Sequence, residues 1–380
     1  MIGATPQPPA DATYGRGLEG LVAGETAISR IDGTKGELSY RGYSVDELAA
    51  ECSFEEVAYL ILYGDLPQRA QLDRFAAQLR LWRRPPQQAL DVLGLLPQQA
   101  PILSTFRTAL AVAAIHAPAT GETGPPSRAS QETRVPRLLG WTFALAAAAV
   151  RHHFDHAPLE PAEDLGLAAN FLYQTLGHRP RKEAVRAFEV SLIVQAEHDI
   201  HAAALAALSV ASAGGSLDGA VLAGVGALGG ALHGGANRPA FEMLRRFATP
   251  EEARTWVRER IAEKYRFPGY GHRVYKTHDP RGRVLYPFAK ALLEQSGERG
   301  RRLLAVHDVV RDEIESALGP KGIYANVDAF TGLVYHPIGL PSSAFTLPFC
   351  LAIQVGWLAH CLEYLPDGPP LQPRTIYVGP

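Results

Sequence analysis

The chain has 380 residues, of which 47% are hydrophobic and 20% charged, with a formal net charge of -2. That length supports a large core and more than one domain. The composition excludes a disordered chain, and the near-zero charge excludes a global pull toward nucleic acid or acidic membranes. Three cysteines, Cys52, Cys350 and Cys361, are few, odd in number and set among apolar residues. They predict free thiols in a reducing cytoplasm, not a disulfide framework.

Taken in chain order, the first seventeen residues, MIGATPQPPADATYGRG, have neither the basic start nor the apolar centre of a signal peptide. Residues 26–42, TAISRIDGTKGELSYRG, alternate apolar and polar around a DGTKGE turn and predict a small hairpin. Residues 44–64, SVDELAAECSFEEVAYLILYG, begin acidic, repeat apolar residues at helical spacing and close on glycine. The stretches 71–84 and 163–177 repeat the helical pattern. RRPPQQ at 83–88 stops a helix, and 116–137, rich in Pro, Gly, Ser and Thr, predicts an exposed loop.

Residues 201–232 form the longest apolar stretch, but His201, Asp218 and paired glycines interrupt it. Two buried helices joined near Gly214–Gly215 fit better than a membrane span. Amphipathic helices are predicted at 251–265, 283–297 and 301–319, and a mostly buried one at 349–364. The fold class is all-α with a small N-terminal β-hairpin.

Four segments place polar groups beside glycines or at element ends: AEHDIHAA (His198, His201), LHGGAN (His233), FPGYGHRVYKTHDPRG (His272, Arg281) and YANVDAFTG (Asp328). Each has a plain structural explanation. His198 and His201 sit one turn apart, yet no Cys or carboxylate cluster completes a metal set, so no metal is expected. HGGAN reads equally as a helix stop, GYGHR follows no strand and fails as a dinucleotide loop, and Asp328 reads as a cap. Together they describe more. Glycines let a ligand approach the backbone, an aspartate in apolar surroundings can serve as a base, and neutral histidines can donate to a developing oxyanion. One base, several imidazoles and an arginine fit proton abstraction beside a carbonyl, with an anionic substrate.

These residues, in this order, resemble the citrate synthase family (citrate and 2-methylcitrate synthases). The likeness runs from GLEGLVAGETAISRIDGTKGELSYRGYSVDELA and SFEEVAYLILYGDLP through EHDIHAAA, GALGGALHGGAN, GYGHRVYKTHDPR and NVDAFTG to GWLAHCLEY and YVGP. It implies a citrate synthase-like two-domain helical fold and a homodimer. The large domain would comprise residues 1–234 and 340–380, and a small domain at 235–339 would close over the active site. The resemblance implies condensation of an acyl-CoA, acetyl-CoA foremost, with oxaloacetate or a related 2-oxo acid, then thioester hydrolysis. The enzyme would need no metal and no tightly bound cofactor, the acyl-CoA being a co-substrate.

By the same resemblance, His233 donates to the thioester carbonyl, Asp328 removes the α-proton and His272 polarises the oxo-acid carbonyl. His198 binds substrate and Arg281 grips a carboxylate. Lys264, Arg266, Arg273, Lys276 and Lys321 flank the site and either meet CoA phosphates, Arg273, Lys276 and Lys321 foremost, or are in part simply solvated helix charges.

The sequence departs from the family at two substrate arginines. Ile353, three residues before the GW of the late helix, occupies one such position. Gln372, in a QP pair near the C-terminus, occupies the other, which in the family reaches into the partner's site. His201 stands where asparagine is usual, and Arg238 where glutamate is frequent. A hydrogen bond to a charged group contributes about 1.5–3 kcal/mol, so losing two predicts an acceptor with fewer carboxylates or an apolar group at Ile353. The opposing expectation is that Arg374, Arg238 or His201 restores the charge. A different class, a non-catalytic acyl-CoA-binding or regulatory paralogue, is the alternative to an enzyme.

Overall fold

The computed structural model describes residues 16–18, 21–118, 127–230, 234–365 and 368–373. Its sheet is the predicted hairpin with a third strand added. Strands β1 (Ser29–Asp32), β2 (Glu37–Tyr40) and β3 (Tyr43–Ser44) run antiparallel in that order, with Ser29 opposite Tyr40 and Asp32 opposite Glu37. At the turn, one Asp32 carboxylate oxygen accepts from the Thr34 amide (3.0 Å), the Thr34 hydroxyl (2.7 Å) and the Lys35 amide (2.9 Å), an arrangement that short acidic side chains favour.

Helices α1 (Val45–Glu51) and α2 (Phe54–Tyr63) both start on reciprocal caps, Ser44 with Glu47 and Ser53 with Glu56. Gly64, at φ 103°, ends α2 in a conformation that glycine adopts without strain. There follow α3 (Arg69–Leu81), α4 (Gln87–Asp91), α5 (Ile102–Ile115), α6 (Arg128–Glu132), α7 (Val135–His153), α8 (Leu167–Leu176) and α9 (Lys182–Val194). The expected loop at 116–137 is therefore partly wrong. Residues 119–126 lie outside the described residues, but α6 and the start of α7 are helical and packed. Tertiary partners explain this: the buried Gln131 side chain accepts from the Leu217 amide, and the buried Arg137 grips Asp218 through two bonds of 2.9 and 2.8 Å. Such contacts override a turn-rich composition.

The apolar stretch from 201 forms two helices, α10 (Ala202–Ser212) and α11 (Leu217–Leu228), turning at Gly214 (φ 79°) and Gly215 as expected. Then come α12 (Asn237–Arg245), α13 (Pro250–Ala262), α14 (Pro280–Gln295), α15 (Gly297–Leu318), α16 (Asp328–Ile338) and α17 (Thr346–Tyr364). Helices α7 and α17 are buried over most of their length, and Gln354 donates to Thr142 between them at 2.8 Å. By length and composition α17 could cross a membrane, but it sits inside the protein as a core helix. Its Trp357 packs on α11 where Gly224 leaves space; a Cβ there would lie 2.5 Å from the ring.

Helices α12 to α16 pack mainly on one another, while α14 and α16 also touch α9, and α14 touches α1. At the α14–α16 crossing, Gly282 faces the Phe330 ring so closely that a Cβ would collide with it. That close approach brings the start of α14, with Arg281, beside the start of α16, with Asp328.

Candidate active site

Two loops meet between the helices. The first runs from the end of α9 to His201, the N-cap of α10. Its anchor is Glu197, 1% exposed. One carboxylate oxygen of Glu197 accepts from Ser29 Oγ (3.0 Å) and from the Asp199 amide, and lies 3.1 Å from His360 Nε2. Asp199 is held at φ 58°, a left-handed conformation tolerated by short polar residues. From below, the buried Tyr40 hydroxyl points at the carbonyls of Val194 (3.2 Å) and Glu197 (3.1 Å). His198 is thereby presented to the cleft.

The second loop covers residues 267–281. Gly269 and Gly271 both take φ 81°, which lets the chain lie against Tyr324–Asn326. The Gly271 amide donates to Tyr324 O (2.8 Å), the Asn326 amide to Gly269 O (2.9 Å) and the Asn326 side chain to Gly271 O (2.8 Å). His272 then curls back so that its Nδ1 accepts from the amides of Val274 (3.0 Å) and Tyr275 (3.2 Å). An accepting Nδ1 places the ring proton of neutral His272 on Nε2. The His198 and His272 rings are 5.1 Å apart, and Tyr275 touches both, its hydroxyl 3.3 Å from His198 Nε2.

Asp279 links this loop to both helix starts. It caps α14 by accepting from the Arg281 amide (3.0 Å). It clamps the buried Arg281 guanidinium through Nε (2.9 Å) and Nη2 (2.7 Å), and it accepts from the Val327 amide (3.0 Å). Asn326 Oδ1 accepts from the Asp328 amide at 2.9 Å. Arg281 Nη2 lies 3.5 Å from His272 Nε2. Both are donors, so the contact is not a bond between them. An acceptor oxygen set between the two could take both hydrogens.

The electrostatics follow from burial and this arginine. Burial, then the Arg281 charge, pushes His272 down to about 4. Burial, Arg281 and His272 together hold His198 well below the usual imidazole range. Both rings are therefore neutral near pH 7. They can donate or accept a hydrogen bond without carrying charge into the cleft. Burial pushes Asp328 up to about 6, with Arg281 opposing and Asp279 adding to the rise. Burial alone would lower Arg281, but the Asp279 carboxylate outweighs it and keeps the guanidinium firmly charged.

The structure thus gathers His198, His272, Arg281 and Asp328. His201 lies at the edge, its Nε2 3.4 Å from Trp357 Nε1. Ile353 is fully buried one turn before Trp357 on α17 and brings no charge. Gln372 is exposed and stands apart: the neighbouring Leu371 amide bonds Ser212 at the far end of α10, about 16 Å along the helix from His201. Arg273, Lys276 and Lys321 are exposed on the rim, with Lys276 Nζ donating to the carbonyls of His272 (3.2 Å) and Arg273 (3.0 Å). His233 lies outside the described residues. Sequence reasoning missed Glu197, Tyr275, Asp279 and Asn326. Only Asp279 carried a local signal, an acidic residue directly before a helix-starting Pro280.

The family profile described as "Citrate synthase, C-terminal domain" matches residues 17–374. Citrate synthase of Synechocystis is 35% identical over 367 residues, covering 96% of this chain and 91% of that protein. The 2-methylcitrate synthase of Mycobacterium tuberculosis is 35% identical over 366 residues, covering 96% and 90%. Among solved structures, citrate synthase of Pyrobaculum aerophilum superposes with a TM-score of 0.90 at 32% identity, covering 100% of this chain and 95% of that one. The ternary complex of the Thermoplasma acidophilum enzyme with carboxymethyl coenzyme A and oxaloacetate gives 0.89 at 29% identity, covering 97% of each chain.

Proposed function

The chain belongs to the citrate synthase family, and from that premise we propose that it condenses acetyl-CoA with oxaloacetate or a closely related 2-oxo acid and then hydrolyses the thioester. The enzyme is a carbon–carbon bond-forming acyltransferase that uses the acyl-CoA as co-substrate. The observation that carries the reading is the convergence of two donors, His272 Nε2–H and Arg281 Nη2, beside a carboxyl held near neutrality at Asp328.

The oxo-acid carbonyl oxygen accepts from His272 Nε2–H, and its neighbouring carboxylate pairs with Arg281. His198, neutral and 5.1 Å from His272, borders the same substrate. Asp328 takes a proton from the acyl methyl group while His233 donates to the thioester oxygen, which yields an enol. The enol carbon attacks the carbonyl carbon as the enol oxygen returns its hydrogen to His233, and the developing alkoxide, held by His272 Nε2–H, takes up the proton that Asp328 removed, which restores Asp328 as a base. Water then cleaves the thioester, giving a carboxylic acid and the CoA thiol. Arg273, Lys276 and Lys321 hold the CoA phosphates at the rim.

Residues 235–339 form the domain that closes, on the support that α12 to α16 pack mainly together. Closure aligns the two carbons and excludes water. A homodimer is supported by the apolar outer faces of α10 and α11, where Leu205, Val210, Leu222 and Ala227 are only partly covered; Gln372 then serves the partner's site. Free cysteines fit a reducing cytoplasm, and the reaction is the first step of the tricarboxylic acid cycle. The test is CoA thiol release from acetyl-CoA with a panel of 2-oxo acids. Release with oxaloacetate is expected. Release with only a monocarboxylic acid assigns Ile353 and Gln372 as specificity determinants, and no release with any acid refutes the catalytic reading.

A further inference from the structure

The rings of His198 and His272 belong to loops 74 residues apart in sequence, yet a carbonyl placed between them must be held to within a fraction of an ångström, since a 1 Å misplacement can lower a rate about a hundredfold. Local bonds fix each ring within its own loop. Across the loops the Tyr275 hydroxyl lies 3.3 Å from His198 Nε2, a side-chain contact to which elements outside both loops add. The β1–β2 hairpin touches both. At its base, Ser29 bonds the Glu197 carboxylate (3.0 Å), and Tyr40, directly opposite Ser29, bonds the Val194 and Glu197 carbonyls. At its tip, Gly33 O accepts from the Lys276 amide at 2.9 Å, and Gly33 and Gly36 lie on the backbone of residues 274–278. Strand β1, four residues long, spans about 13 Å between these contacts.

The two tip glycines differ in why they are there. Gly36 has φ 68°, so the turn itself calls for glycine. Gly33 does not occupy the left-handed region. What a side chain at 33 would meet is the carbonyl of Val274, which an added Cβ would overlap. Val274 is also the residue whose amide holds His272 Nδ1 at 3.0 Å. One residue therefore presses its carbonyl on the hairpin tip and offers its amide to the catalytic ring. At Gly36 a Cβ would lie 2.5 Å from the carbonyl of His278, immediately before Asp279 and its Arg281 clamp.

We propose that the N-terminal hairpin is a positioning splint: its base seats the His198 loop, its tip seats the His272–Arg281 loop, and Gly33 sets the spacing and the Nε2–H tautomer of His272. Gly33 and Tyr40 are positioning residues that act through backbone contacts and do not touch substrate. The proposal rests on the reading of His198 and His272 as the pair that binds the oxo acid.

The test uses full-length protein with 15N-labelled histidine, because ring nitrogen shifts report the tautomer without turnover. The parent is expected to show His272 protonated at Nε2. Gly33→Ala is expected to mix the His272 tautomers and lower kcat by about 10- to 100-fold, with a smaller change in KM for acetyl-CoA. Tyr40→Phe is expected to shift His198 and spare the His272 tautomer. Asp32→Ala loosens the turn without adding an atom at the contact; it stands in should Gly33→Ala fold poorly, and is expected to move His272 in the same direction by less. Lys35→Ala, exposed on the same turn, is the control and should leave every ring signal in place. Unchanged His272 nitrogens in the folded Gly33→Ala or Asp32→Ala protein would overturn the proposal. A parent that releases no CoA would end the catalytic reading alone, since the nitrogen signals still decide the role of the hairpin.

Discussion

His272 is oriented by its own neighbours in sequence, whereas His198 is oriented by residues from distant parts of the chain. The His272 ring takes two amides from residues two and three positions ahead. The His198 loop depends on Glu197, and Glu197 in turn on Ser29 and His360. Both routes end in a neutral imidazole. The comparison teaches that a ring can be oriented cheaply by local backbone, while a loop that must meet another loop needs anchors reached only through the fold. A local hydrogen bond orders few residues, and a distant one must first overcome the entropy of bringing the segments together.

The largest expected effect lies where both routes deliver their substrate. Asp328→Asn should lower kcat by about 10²- to 10⁴-fold, measured by CoA release. It should also raise the melting temperature at pH 7. The native Asp328 is pushed up from 3.8 to about 6, so the folded state binds its proton more tightly than the unfolded one. Its contribution to stability is best below pH 4 and is lost as pH rises to about 6. Removing the charge removes that penalty. In the parent, kcat/KM should climb with pH through about 6 and level off above it, as Asp328 becomes a free base.

Breaking the distant route comes next. Glu197→Gln disrupts a buried pair with His360 and should cost about 3–5 kcal/mol in chemical denaturation. Burial lowers the His360 pKa, but the Glu197 carboxylate outweighs it and the net shift is upward. The stabilisation is therefore complete below pH 6.5 and fades as pH rises through the native value. The deficit of Glu197→Gln should accordingly be greater at pH 6 than at pH 9, and equal deficits would show that the pair is not charged. Gly282→Ala forces a Cβ into the Phe330 ring and should cost about 1–3 kcal/mol, with a loss of activity because Arg281 and Asp328 separate. Smallest is Ser29→Ala, which removes one part-buried bond to the Glu197 carboxylate and should cost about 1.5 kcal/mol while shifting His198 more than His272 in ring-nitrogen spectra.

Much of the fold was readable along the chain. The hairpin announced itself by alternation around DGTKGE, the helical stretch 44–64 by its acidic start, apolar spacing and closing glycine, and the α10–α11 pair by an apolar run cut at Gly214 and Gly215. These signals are local, so periodicity and turn chemistry suffice to see them. The stretch 116–137 misled because its composition speaks for turns, while Gln131 and Arg137 find partners on α11, some 80 residues later. Of the site, His198, His272, Arg281 and Asp328 stood out as polar groups beside glycines or at helix ends.

The sequence by itself determined which groups carry charge, which backbone positions can turn, and which helices are apolar enough to be buried. Only the tertiary structure decided that Glu197 meets His360 across 163 residues, that Asp279 ties Arg281 to the start of α16, and that the hairpin tip lies on Val274. The physical reason is range. Caps, turns and periodicity act within a few residues, but desolvation and charge pairing depend on which segments the core brings together, and those same contacts make Asp328 a weak enough acid to serve as a base.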